Sequence, residues 1–307
     1  MQSLWMLFAT FMFAIMGVCV KLASGLYSTS EIVMYRGLIG VTVLFCVIRF
    51  QGGSFKTNVP KAHLWRGVVG VIALWLWFYA IAALPLATAM TLNYMAPIWI
   101  ALILFCAGWW HSTGHVEWPL VGAIALSFLG IVLLLQPAFE SQQFTGEMMA
   151  LISGMLSALA YLEVRKLGLM GEPEYRVVFY FSAVNALAGL IGNIASAGAG
   201  PVIWHPHDSA YGIGLLLAIG LCAAMAQMAM TRAYRLGKIL VVANLQYAGI
   251  VFSSVWGVLI FGDVLGWHSW LGIVVIIVSG IAATFYNTRS TERGAAIART
   301  DPIASEI

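Results

Sequence analysis

Residues 67–116 read GVVGVIALWLWFYAIAALPLATAMTLNYMAPIWIALILFCAGWWHSTGHV, fifty positions without one Asp, Glu, Lys or Arg. A helix needs about 20 apolar residues to cross a hydrocarbon core about 30 Å thick, so the stretch is too long for one crossing and suits two. It breaks at Leu84-Pro85-Leu86, because proline removes a backbone donor and ends a helix. The expected product is a tight hairpin of two membrane-spanning helices.

Working outward with the same rule, cutting at charges, prolines and turn residues, gives ten apolar segments at 4–21, 31–49, 67–84, 87–110, 118–136, 147–164, 177–197, 210–231, 239–261 and 267–286. A closed barrel is the other structure that satisfies its backbone in lipid. Its strands alternate in period two over about ten residues, whereas these runs are continuous and longer. The fold class expected is an all-α membrane protein with ten transmembrane helices. The first segment is kept as a mature helix, since no Lys or Arg precedes it, no small-residue cleavage pattern follows it and nine further spans come after.

Composition agrees. Of 307 residues, 9% are charged and 62% hydrophobic, against roughly 25% charged in soluble domains. The net charge of +3 is small and spread along the chain, so nucleic acid is not an expected partner; the partners implied are the bilayer and a small-molecule solute. Monomer and homodimer are both open. Cys19, Cys46, Cys106 and Cys222 all lie in apolar runs, without a CxxC pair, and are expected to pack.

Orientation follows from the basic residues. With the N-terminus inside, Arg49, Lys56, Lys61, Arg66, Arg165, Lys166, Arg176, Arg232, Arg235, Lys238, Arg289, Arg293 and Arg299 fall on the cytoplasmic side, Lys21 at an outer boundary and Arg36 within a span. Such asymmetry places both termini in the cytoplasm and suggests a bacterial inner membrane. The tail 287–307 is polar, rich in small residues, and expected to be disordered.

The two halves resemble each other. Ala96-Pro97-Ile98 aligns with Ala248-Gly249-Ile250 at an offset of 152, and Gly122 and Gly130 align with Gly272 and Gly280 at 150, each pair following Trp118 or Trp270. Five spans per half would make the second half enter from the opposite face, an inverted repeat of 4–136 and 147–286.

With these features the chain resembles the ten-helix transporters of the drug/metabolite transporter superfamily that carry two EamA-type domains. The carriers are Glu31-Ile32-Val33-Met34-Tyr35-Arg36, the hairpin Ala83-Leu84-Pro85-Leu86-Ala87-Thr88-Ala89 leading to Ala96-Pro97, and Phe261-Gly262-Asp263 with Gly272 and Gly280. The family's usual second-half Glu is Asp263 here, and Trp109-Trp110-His111 stands where a second acid is common. The resemblance implies transport of small organic solutes such as amino acids and other metabolites, often outward, and no enzymatic activity.

Candidate site residues are polar or aromatic groups within the spans. An Arg inside a span costs roughly 2.5–3.5 kcal/mol at its worst depth, so Arg36 either recognises an anion or forms a gate, or else snorkels or pairs with Glu31 or a carbonyl. Lys21 and Glu31 are expected to form an interfacial salt bridge. Glu163 would titrate near working pH if desolvated and carry a coupling proton, but Arg165 and Lys166 follow it and favour a charged collar. Trp75 and Tyr79 share one helix face, as do Asn93 and Pro97, with Tyr94 beside them; Asn244 and Tyr247 are three apart. Asn93, Gln227, Asn244 and Gln246 should face the bundle interior, lining a solute cavity or joining helices. Pro97 frees a carbonyl, and Gly249 lets the equivalent helix bend.

The histidines suggest no metal site, and no cofactor is implied. His111/His115 and His205-Pro206-His207-Asp208 read as loops, and no GxSxG, HExxH, P-loop or dinucleotide fingerprint occurs. An ATP-driven pump is therefore disfavoured. The leading expectation is a secondary or facilitative transporter of zwitterionic or anionic metabolites, and the alternative is an intramembrane enzyme or lipid-handling protein.

Overall fold

The computed structural model describes residues 4–83, 91–111, 118–135, 144–197, 204–205, 209–262 and 264–300. The turn at Leu84-Pro85-Leu86, together with His115 and Asp263, lies outside them. Every regular element among the described residues is helical: α1 Trp5–Ala23, α2 Thr29–Phe50, α3 Pro60–Ala83, α4 Ala96–His111, α5 Trp118–Leu135, α6 Phe144–Leu169, α7 Glu174–Ala197, α8 Ala210–Leu236, α9 Ile239–Leu245, α10 Ala248–Trp256 and α11 Trp267–Thr300. Seven described segments are long and apolar enough to cross a membrane, with α9, α10 and the π-helix Gly257–Phe261 that continues α10 counted as one, and two more apolar helices are shorter.

Lipid-facing surface is visible on single helices. Along α11, Val274, Ile277, Val278, Ile281 and Phe285 are all exposed, a stripe at helical spacing that water would not tolerate. Opposite it, Ile273, Ile276 and Ala283 are buried. The same helix runs past 286 to Thr300, where Ala295, Ala296 and Ala298 favour helix, and residues 301–307 of the tail lie outside the described residues.

The most extensive packing pairs α2 with α7, α5 with α11, α1 with α8 and α3 with α6. At the α5–α11 contact a Cβ on Gly272 would collide with the Gly130 carbonyl, so glycine there sets how closely the helices approach. Ser279 and Ser269 of α11 then donate to the α5 carbonyls of Ala123 (2.6 Å) and Leu134 (3.0 Å). In a medium without competing water such bonds fix helix register.

Two helices are interrupted, and at matching places. Residues 91–93 are helical, Tyr94-Met95 form a turn and α4 starts at Ala96; α9 ends at Leu245, Gln246-Tyr247 form a turn and α10 starts at Ala248. The offset is that of the sequence match. Even the bonds correspond: Met95 N–H to Leu92 O (3.3 Å) and Ile98 N–H to Met95 O (2.9 Å), against Tyr247 N–H to Asn244 O and Ile250 N–H to Tyr247 O, both 3.1 Å. Pro97 therefore sits in the first turn of α4, where its missing N–H leaves nothing unsatisfied, rather than in mid-helix.

Candidate functional site

Helix α3 begins at Pro60, seven residues before the apolar run from which its span was counted. Arg66 consequently lies inside the helix and is buried, 3% exposed, rather than in the loop that precedes it. Its guanidinium rests 3.6 Å from the centroid of the Phe181 ring of α7, and Arg36 of α2 approaches the same ring at 5.9 Å. The absent side chain of Gly70 makes this stack possible, since a Cβ there would meet Arg66 Nη1 at 2.6 Å and Phe181 at 2.9 Å. Arg36, Gly37, Phe181, Ser182, Asn185, Ala223, Ala224 and Gln227 enclose a cavity with room for about one water molecule.

Neither arginine has a carboxylate partner among the described residues. Arg36 Nε, Arg66 Nε and Arg66 Nη1 are buried and make no hydrogen bond. The Glu31 pairing offered as one alternative for Arg36 does not form. Glu31 instead closes a capping box with Ser28 and takes two contacts from His205, N–H to Oε1 at 2.8 Å and Nδ1 to Oε2 at 2.6 Å. Nor does Lys21 reach Glu31: its ammonium lies 3.9 Å over the Phe261 ring, so the expected interfacial salt bridge is replaced by a cation–π contact.

A second polar centre sits at the interruption between α9 and α10. Gln246 Nε2 donates to the Tyr161 hydroxyl (3.2 Å) and its Oε1 accepts from the Tyr234 hydroxyl (3.3 Å), while the two tyrosine rings stack 5.5 Å apart. Tyr161 lies within electrostatic range of Arg36, Arg66 and Tyr94, which joins this centre to the arginines. Tyr94 and Tyr247, one from each interrupted helix, pack against the same cluster of Ile124, Ile131, Ile250 and Ile276. Tyr247 is fully buried with an unbonded hydroxyl, and Asn244 donates to the Ser279 carbonyl (3.4 Å) while its own Oδ1 has no partner.

The remaining sequence candidates are placed elsewhere. Asn93 donates to Ser153 (2.8 Å), which donates to the Ala73 carbonyl (2.7 Å), tying the interrupted helix to α6 and α3. Trp75 and Tyr79 share a face of α3 and are largely exposed, Trp75 close to Gly192 of α7. Glu163 Oε1 stands 3.5 Å from Lys166 Nζ, and its Oε2 is buried without a partner. Gln227 is at the Arg36 cavity. Cys222 is buried and Cys19 half-buried, but Cys46 and Cys106 are exposed on the bundle surface rather than packed within it.

Four participants in these two centres escaped the sequence reading: Arg66, Phe181, Tyr161 and Tyr234. Pro60 was the available signal for Arg66, because proline favours the first helical turn and so starts α3 two turns before the apolar run. Tyr161, Tyr234 and Phe181 carry no such mark in a chain that is 13% aromatic.

A further polar knot closes the opposite end of the bundle from Glu31. Glu172, in the turn between α6 and α7, accepts from Thr57 (2.7 Å) and Arg176 (2.9 Å) and meets His63 Nε2 at 3.2 Å. Burial pushes its carboxyl upward, but the bonds from Thr57, Arg176 and His63 outweigh this and hold it below the usual carboxylate range.

The sequence model of the EamA-like transporter family matches residues 1–136. A relative spanning nearly the whole molecule decides the matter: the pseudopaline exporter CntI of Pseudomonas aeruginosa is 31% identical over 277 residues, 89% of this chain and 92% of that protein. The chain belongs to the EamA-like transporter family. This EamA-family protein is accordingly a multi-pass membrane transporter rather than an enzyme. More distant relatives include a riboflavin transporter of Vibrio cholerae, 27% identical over 95% of each chain, and an S-adenosylmethionine uptake transporter of Rickettsia conorii, 20% identical over 86% and 85%. A solved crystal structure 17% identical to the chain matches with a TM-score of 0.77 over 93% of it and 98% of the other, and speaks for the fold alone.

Proposed function

We propose that the protein is a ten-helix secondary or facilitative transporter that moves a small zwitterionic or anionic metabolite, outward across a bacterial inner membrane, by alternating access. The single observation that carries this reading is the pair of helix interruptions at Tyr94-Met95 and Gln246-Tyr247, equivalent in the two halves and adjoining the polar centre of Gln246, Tyr161 and Tyr234. Broken helices at corresponding positions are how inverted-repeat transporters build a site at the midplane. The repeats would be 4–136 and 147–286, both termini cytoplasmic, as the distribution of Lys and Arg favours.

The packing pattern supports the same division. A twofold that exchanges α1 with α6 and α3 with α8 turns the α1–α8 contact into the α6–α3 contact and maps α2–α7 and α5–α11 onto themselves. In this arrangement Arg36 and Gln227 meet the solute in the cavity, and Tyr94, Gln246 and Tyr247 line its path at the breaks. Asn93, Pro97 and Asn244 shape the interrupted helices, Trp75 and Tyr79 lie on the approach, and Glu163, with one oxygen unpaired, is the group available for a coupling proton. Outward direction rests on the similarity to the pseudopaline exporter.

Protein reconstituted in liposomes is expected to move a labelled metabolite down its gradient or against a coupled one without ATP. Strict dependence on ATP would overturn the reading, and Glu163→Gln with unchanged response to a pH gradient would return Glu163 to the charged collar.

A further inference from the structure

We propose that Arg36 and Arg66 together recognise a solute carrying two carboxylates, with Asn185 taking an N–H from the same solute; this rests on the transporter reading above and names its substrate class.

The first ground is charge. Buried cations persist only when paired or when a partner is supplied. Other described basic groups show how this chain satisfies them: Arg176 bonds Glu172, Arg235 bonds Glu174, Lys166 meets Glu163, and Arg165 donates to the carbonyls of Tyr234 (3.1 Å) and Gly237 (2.8 Å). Among the described residues, Arg36 and Arg66 have the Phe181 ring between them and the Tyr161 hydroxyl within electrostatic range, and no carboxylate. Of the described carboxylates, Glu31, Glu163, Glu172 and Glu174 each have a partner elsewhere, and neither Glu147 nor the free Oε2 of Glu163 forms an ion pair with either arginine. Two uncompensated positive charges on one ring attract two negative ones.

The second ground is geometry of donors. Arg36 Nε and Arg66 Nε and Nη1 are buried N–H groups without acceptors, and a guanidinium edge matches a carboxylate in a planar, two-bond fork. A carboxylate on the Nε edge of each guanidinium accounts for the two Nε groups, and Arg66 Nη1, on the other side of its guanidinium beside Cδ, is left for a further acceptor. The third ground is Asn185, whose Nδ2 donates to the Phe181 carbonyl (2.8 Å), which aims Oδ1 as a buried acceptor with nothing to accept from. Asn185 lines the Arg36 cavity, so an amino group on the solute fits there, making an amino dicarboxylate the best match. The cavity has room for about one water, so the solute must part the helices to enter.

The test is ligand-dependent thermal stability of the full chain in lipid nanodiscs, with amino dicarboxylates of graded length (aspartate, glutamate and longer homologues), their mono-amides and inorganic phosphate as probes. At least one dicarboxylate should stabilise the protein at a concentration tenfold or more below that required of its mono-amide, with phosphate ineffective. Arg36→Gln and Arg66→Gln should each remove that preference, and the ligand-free variants should melt no lower than the wild type, because an uncompensated charge has been removed. Should Arg66→Gln not fold, Arg66→Lys keeps the charge and loses the fork, and must still weaken dicarboxylate binding tenfold or more. Equal response to dicarboxylates and mono-amides, a preference for phosphate, or retention of the preference in the arginine variants would overturn the proposal. Failure here with ATP-independent flux of another solute leaves the transporter reading standing, whereas dicarboxylate binding with no flux of any solute would sink that reading and keep this one.

Discussion

A charged side chain in this protein is informative chiefly through what it touches. Glu31 and Glu172 are both buried carboxylates, each with a histidine against it and each at a helix start or turn. Glu172 lies outside the spanning segments, and its fate on acidification follows from its partners. Its folded carboxyl is held below the usual range, so the stability it contributes is fully present at neutral pH and is lost as pH falls through the folded value. Melting temperature should therefore drop on the acid side of the ordinary carboxylate range. Glu172→Ala should cost about 3 kcal/mol at neutral pH, because it leaves Arg176 and His63 facing an empty place, and should flatten that acid limb. Melting curves at several pH values check both; an unchanged acid limb in the variant would show that other carboxylates govern it.

At the scale of the helix, sequence reading succeeded where the physics is local and failed where it is not. Apolar helices and a departure from straight helix near Pro97 and Gly249 could be read in advance, because each follows from the chain's own composition or bonding, although the breaks themselves fall at Tyr94-Met95 and Gln246-Tyr247. The start of α3 was missed because cutting at charges assumes that charges stay outside, and Arg66 is held inside by contacts with Phe181, a residue 115 positions away. The same reason hid the His205–Glu31 contact, which joins residues 174 apart. Glycine shows the limit of local reading most directly. Gly122 and Gly272 are equivalent by offset, yet a Cβ on Gly122 would meet nothing within 4 Å, whereas one on Gly272 would strike the Gly130 carbonyl and the Leu134 backbone. Gly122→Ala is thus expected to stabilise α5 by up to about 1 kcal/mol through helix propensity. Gly272→Ala should destabilise by about 1–3 kcal/mol as α5 and α11 are forced apart. Opposite signs in chemical or thermal unfolding are the expected result, and equal effects would mean that the α5–α11 contact is looser than described.

At the scale of the whole molecule, the described helices are tied at both ends, with the small Arg36 cavity between them. At one end Ser28 donates to Asn193 (3.3 Å) and Glu31 holds His205; at the other, Thr57 and His63 hold Glu172, and the rings of Phe55 and Phe179 sit 5.0 Å apart. A conformation closed at both ends around a cavity for about one water is an intermediate, not a conducting state, if two halves alternate access. Each end must then open in turn, and a bond across either should stop the cycle. In a background where Cys19, Cys46, Cys106 and Cys222 are replaced by alanine, Ser28→Cys with Asn193→Cys should form a disulfide under oxidation, and Phe55→Cys with Phe179→Cys should be joined by a short thiol crosslinker. Either lock is expected to lower flux in liposomes at least tenfold, with reductant restoring it in the first pair and single-cysteine variants unaffected. The consequence is unequal for the two orders of events: a lock at the Ser28 end alone should leave solute binding from the Phe55 side intact, and a lock at the Phe55 end the reverse. Flux that survives either lock would mean that the solute crosses without opening that end, and alternating access by the two halves would have to be abandoned.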